Sequence, residues 1–115
     1  MNKFLIFIYF SSCKENKNQE LQIKTNGIKT ELYIGDSKLK VDDLNQIISK
    51  KFEGFTIIDN LGYWKSQKMN GFKVIIFHKG KESDEEKIKE IIDNIKTEFS
   101  HESILRADFS CSYNF

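Results

Sequence analysis

The sequence predicts an α+β domain built in the order strand, helix, strand, strand, helix, strand. Three observations carry that prediction. Four stretches are rich in β-branched and aromatic residues, two others place their apolar residues at helical spacing, and polar or glycine-containing segments separate them. The chain has 115 residues, the size of one domain.

Taken in order, Thr30-Glu31-Leu32-Tyr33-Ile34 is the first strand, and Gly35-Asp36-Ser37 ends it. Val41, Leu44, Ile47, Ile48 and Phe52 then share one helical face. Asp42 and Asp43 stand in the first turn, where the helix dipole favours acids, and Gly54 stops the helix. Phe55-Thr56-Ile57-Ile58-Asp59 starts the second strand, which runs on through Gly62-Tyr63-Trp64-Lys65. Ser66 to Gly71 turns the chain. Phe72-Lys73-Val74-Ile75-Ile76-Phe77-His78 is nearly all apolar, as a central strand would be. Ser83-Asp84-Glu85-Glu86 has the form of a capping box, and Ile88, Ile91, Ile92, Ile95 and Phe99 follow as one stripe. Ser103 to Phe109 is the last strand. With right-handed crossovers this order is the ferredoxin-like βαββαβ arrangement, a four-stranded antiparallel sheet with two helices on one face. The other face is left for a ligand or a second subunit, so a homodimer is one expectation. The N-terminal tether or the C-terminal Tyr113-Asn114-Phe115 folding over that face is another.

The N-terminus reads differently. Residues 1–12 combine Lys3, the apolar run Phe4 to Phe10, and Ser11-Ser12, with Cys13 next. Seven apolar residues are too few to span a bilayer, which takes about 20. They fit an export signal, and small residues before a cysteine resemble the lipobox of bacterial lipoproteins. The competing reading is a buried first strand with an ordinary cysteine. Residues 13–28, polar at first, would be a tether, and residues 29–115 the domain. The implied location is the cell envelope, periplasm or cell surface, with the membrane as partner through a lipid on Cys13.

Composition narrows the function classes. Removing residues 1–12 takes away Lys3 and leaves 17 basic against 17 acidic residues, which argues against a nucleic-acid binder. Cys13 and Cys111 have neither a CxxC partner nor clustered histidines, so no structural zinc site is expected, and Cys111 reads as a small core residue. No glycine-rich phosphate loop is present, and no cofactor is implied.

The same segments resemble a known family. Thr30 to Gly35 is similar to the "TELYFG" opening of small bacterial exported proteins grouped as domain of unknown function 3574. Phe55 to Trp64, Phe72 to Ile76 and Glu102 to Asp108 resemble three further motifs of that family, in the same order. The resemblance covers residues 29–115 and implies the fold and export; it implies no activity. Met69-Asn70-Gly71 departs from it where Arg-Glu is common, and His101 where Gln is common.

The candidate site residues follow from chemistry. Tyr63 and Trp64 either line a pocket for a planar ligand or pack in the core beside a bulge at Gly62. Glu102, Arg106 and Asp108 share a face of the last strand by alternation, with Asp59 and Lys73 as cross-strand partners. They either orient a polar ligand or form solvated ion pairs. His78 and His101 either serve as a general base near neutral pH or are ordinary surface or edge histidines. No nucleophile stands in a recognised context. The favoured reading is a lipid-anchored, non-catalytic domain that binds a small ligand or an envelope protein. The alternative is a small enzyme with Tyr63, His78, Glu102 and Arg106 at a subunit interface on the open sheet face. The anchor is directly testable: a fatty-acid analogue should label the wild type and fail to label Cys13→Ser, whereas equal labelling would remove the lipoprotein reading.

Overall fold

The computed structural model describes residues 25–35, 38–99 and 104–114. Its elements are β1 (Thr25–Gly35), α1 (Val41–Ser49), β2 (Thr56–Trp64), β3 (Gln67–His78), α2 (Glu82–Phe99) and β4 (Ile104–Tyr113). They form one antiparallel sheet in the order β2-β3-β1-β4, with β1 and β3 central. This is the ferredoxin-like order the sequence implied. The segment around Cys13, and His101 and Glu102, lie outside the described residues.

The core lies between the sheet and the helices. β1 contributes Leu32 and Ile34, β3 contributes Val74 and Ile76, α1 contributes Leu44, Ile47 and Ile48, and α2 contributes Ile88, Ile91 and Ile95. Opposed residues in the β1–β3 register share a face, so Leu32 meets Val74 and Ile34 meets Phe72 beneath the helices. The alternate set, Lys29, Glu31 and Tyr33 with Lys73, Ile75 and Phe77, faces away from them.

Several boundaries differ from the sequence reading. Val41 opens α1 but is 49% exposed, so the buried stripe starts at Leu44. α1 ends at Ser49, and the turn amides of Lys51 and Phe52 bond back to the Ile48 carbonyl, five residues before Gly54. Ser83 does not cap α2. The Asp84 carboxylate does so instead, accepting from the amides of Lys79 and Lys81 at 3.3 Å each. β1 starts at Thr25, five residues ahead of the β-prone run.

The largest difference is in the hairpin. Residues 67–71 are strand, and the turn is only Lys65-Ser66, both at positive φ (50° and 65°) as a two-residue type I′ turn requires. The Asn-Gly pair that usually marks such a turn stands instead at Asn70-Gly71, inside β3, and Lys65-Ser66 carries no turn signal of its own, so the sequence points to a turn later than the real one. Gly71 is therefore a strand residue. A Cβ there would stand 1.9 Å from the Ile34 carbonyl oxygen, so only glycine lets β1 and β3 meet at that point. Because β1 ends at Gly35, opposite Gly71, residues 61–64 and 67–70 pair, among the described residues, only with each other and project beyond the sheet as a two-stranded ribbon.

Helix α2 yields a sharp test. Ile91 is fully buried, while Ile92 sits at the edge of the core, only partly covered. Truncating Ile91 to Ala should cost about 2–5 kcal/mol, and truncating Ile92 clearly less. Urea unfolding followed by circular dichroism reads the difference; equal losses would mean the inner face of α2 is rotated from the one described.

Candidate functional site

The two faces of the sheet carry different chemistry. On the helix side, β1, β3, β4 and the start of α2 converge on a polar chain. Thr30, fully buried in mid-β1, donates its hydroxyl hydrogen to Asp108 Oδ1 at 2.6 Å. His78 Nε2 lies 2.7 Å from the same Thr30 oxygen. The Gly80 amide donates to His78 Nδ1 at 3.1 Å, which leaves the ring proton on Nε2 and makes His78 the donor to Thr30. Arg106 Nε donates to Asp108 Oδ1 at 3.2 Å, and its guanidinium forks onto both oxygens of Glu85.

This chain is poor catalytic machinery. The Thr30 proton points to a carboxylate, and His78 gives a hydrogen to Thr30 where a general base would have to accept one. Thr30 has no exposed surface for a substrate to reach. Among the described residues no group of three His, Cys, Asp or Glu side chains is placed to hold a metal.

The structure thus separates the residues the sequence grouped. Arg106 and Asp108 lie on the helix side, opposite Leu32 and Thr30 of β1. Asp59 sits on the far edge strand β2, opposite Phe72, and Lys73 faces the other side of the sheet. Neither Asp59 nor Lys73 is a partner of Arg106; Glu85, which the sequence reading left out, is. His78 is likewise on the covered face, so the open-face cluster of Tyr63, His78 and Arg106 does not form. Cys111 is buried, as expected of a small core residue.

The open face is organised around Glu31, only 5% exposed. Lys29 Nζ at 3.2 Å and Lys73 Nζ at 3.5 Å flank its carboxylate, and the Tyr33 hydroxyl donates to it at 2.5 Å. Burial works to raise the Glu31 pKa, but the bonds from Tyr33 and Lys29 and the two ammonium charges hold it below the ordinary 4.5. Burial and the same carboxylate push the Tyr33 phenol up to about 12.

Beside this cluster a cleft of about 500 Å³ opens at the base of the ribbon. Tyr33, Trp64, Met69 and Leu105 line it from the open face, and Tyr63 and Ile104 join them from positions that the register gives to the other face. Tyr63 and Trp64 are 69% and 67% exposed, and Gly62 pairs with Met69 in unbroken register. There is no bulge, and the two aromatics are not in the core. Two of the lining rings carry an ammonium over their faces, Lys73 over Tyr33 at 5.5 Å and Lys65 over Trp64 at 5.9 Å. Tyr33, Met69 and Leu105 escaped the sequence reading because they come from three strands. Only period-2 alternation combined with the strand order would have joined them.

The helix-side chain predicts a pH dependence. Burial holds the His78 pKa below 6.5, against the pull of Asp84 and Asp108. The unfolded chain therefore binds a proton at 6.5 that the folded chain refuses, and stability falls as the pH drops below that value. Thermal unfolding across this range should show a steeper acid loss for the wild type than for His78→Gln. Parallel profiles would remove His78 from the account.

No curated protein matches the chain in sequence. In structure it is similar to CPII, a nitrogen regulatory PII-like protein from Thiomonas intermedia K12. With the form bound to ADP, AMP and bicarbonate the TM-score is 0.56 at 12% identity, over 81% of this chain and 98% of that one. With the form bound to ADP, AMP and acetate it is 0.54 at 13% identity, over 82% and 94%. At that identity the likeness concerns the fold. A family model described as protein of unknown function, DUF3574, matches residues 29–115, and the chain belongs to that family.

Proposed function

We propose that the domain is a non-catalytic binding module, displayed at the cell envelope, that takes a small ligand with a planar or apolar body and an anionic end in the open-face cleft. One observation carries this reading: the cleft has aromatic and aliphatic walls, and an ammonium stands over each of two of its rings, Lys65 over Trp64 and Lys73, which also pairs with Glu31, over Tyr33. A planar body suits the exposed rings, and an anion suits Lys65, since Lys73 is shared with Glu31. The polar chain on the covered face lacks an accessible nucleophile, which weighs against the enzyme alternative. The envelope location rests on the signal-like residues 1–12 and on Cys13.

A second copy of the chain is a competing occupant of this face. Ile58, Phe77 and Leu105 stay exposed there, although the Tyr113 ring packs on Phe77 at 5.5 Å between centroids and covers part of it.

Trp64 is the only tryptophan and lines the cleft, so its fluorescence reports on a probe bound there. The first probes are anilinonaphthalene sulfonate, a planar anion, and AMP, which the fold neighbour CPII carries. Saturable quenching of Trp64, weakened at least about tenfold by Tyr33→Ala or Leu105→Ser, is expected. Non-saturable quenching, or saturable quenching indifferent to both substitutions, would refute the cleft. Light scattering at matched concentrations separates the competing occupant, since a dimer burying this face would lose probe affinity as its mass doubles.

A further inference from the structure

The projecting ribbon has a chemistry of its own. Its register assigns each side chain to a face. Leu61 and Tyr63 share the helix-side face with Lys68 and Asn70, and Trp64 shares the open-side face with Met69 and Gln67. Leu61 is 54% exposed, Tyr63 and Trp64 still more, and Met69 39%. Scattered exposed apolar residues are ordinary, but here four fall within ten residues of one hairpin. Between Asn60 and Phe72 the only charged residues are Lys65, at the turn, and Lys68. The tip is therefore apolar on both faces and purely cationic.

We propose that this tip docks on an anionic lipid surface, with Leu61, Tyr63, Trp64 and Met69 entering the interface and Lys65 and Lys68 meeting the headgroups. Each observation suits that occupant better than another. A flat protein surface would cover one face of the ribbon and leave the other wet, whereas a bilayer interface surrounds both. A nucleic acid would use the lysines and the rings but gain nothing from Leu61 or Met69, and the balanced charge of the domain gives it no further purchase. Tyrosine and tryptophan are the side chains that settle at the headgroup level, and lysines beside them gain from anionic lipid. The four residues of each strand beyond Asn60 and Gly71 reach about 13 Å past the end of β1. Interfacial elements bury roughly 5–10 Å, so the reach suffices. A two-stranded ribbon is also marginal in water on its own, and the interface would give its side chains the burial that the sheet does not.

The inference goes beyond the ligand reading, because Leu61 and Lys68 stand outside the cleft. It is tested on the full chain carrying Cys13→Ser, which removes the lipobox-like thiol and leaves only the buried Cys111. Vesicles of phosphatidylcholine are compared with vesicles containing phosphatidylglycerol, and Trp64 emission is followed with bromine-labelled acyl chains as quenchers. The expected result is a blue shift and quenching that require the anionic lipid. Leu61→Ser with Lys68→Glu should weaken both by roughly tenfold and leave the soluble-probe quenching of Trp64 intact, as circular dichroism confirms the fold. Binding through residues 4–10 would sediment the chain with vesicles and leave Trp64 unquenched. That result, an undiminished response in the double variant, or a Trp64 response to an oligonucleotide but not to vesicles would overturn the proposal. In the chain with Leu61 and Lys68 unchanged, probe quenching without any vesicle response defeats this inference alone; a vesicle response without saturable probe quenching defeats the cleft alone.

Discussion

Two helices can cover one face of a four-stranded sheet, and the domain is shaped by how it handles the other. β1, central in the sheet, takes the full consequence. Its helix-side residues Leu32 and Ile34 are buried by Val74 and by the isoleucines of α1 and α2. Its alternate residues Lys29, Glu31 and Tyr33 have no helix above them and must find partners in the plane of the sheet. Glu31 loses nearly all contact with water there, which would be costly for a lone carboxylate. Two lysines and a phenol offset that cost and keep it ionised. By the direction of its shift, this network stabilises the fold at neutral pH and is lost as the pH falls below 4.5 through the folded-state value.

With the centre of the open face closed by charges, its apolar surface is displaced toward the ribbon. The cleft forms where the four-stranded body gives way to two strands, between Tyr33 and Leu105 on one side and Trp64 and Met69 on the other. The covered face shows the opposite use of polar groups. There His78, Thr30, Asp108, Arg106 and Glu85 satisfy one another and tie β3, β1 and β4 to the first turn of α2. A single-sided layer architecture thus sorts structural polar groups under the helices and accessible aromatic ones onto the open side.

The elements that rest on local periodicity were legible in the sequence. The isoleucines of α2 and the near-continuous apolar run of β3 could be read directly, and so could the order of the six elements. Phase was harder. Ile91 and Ile92 are neighbours in sequence, and only the packing direction of the helix decides which is buried deeper. The hairpin turn is not legible because Lys65-Ser66 adopts positive φ without glycine or asparagine, while the Asn70-Gly71 pair that resembles a turn lies within β3. The site was less legible than the fold. Tyr63 and Trp64 stood out as a dipeptide, but their partners Tyr33, Met69 and Leu105 are remote in the chain. Arg106 does not meet Asp59 or Lys73 because β1 stands between β4 and β3, a separation that the ferredoxin-like strand order itself implies.

The central claim is that the open face, with its cleft beside the Glu31 network, is the working face. Amide chemical-shift mapping by nuclear magnetic resonance during titration with anilinonaphthalene sulfonate tests it most directly, because every strand reports separately. The account predicts saturable shifts centred on Tyr33, Trp64, Met69 and Leu105, with the amides of Thr30, His78 and Asp108 nearly still. Shifts centred instead on Thr30, His78 and Asp108 would contradict it and move the binding site beneath the helices.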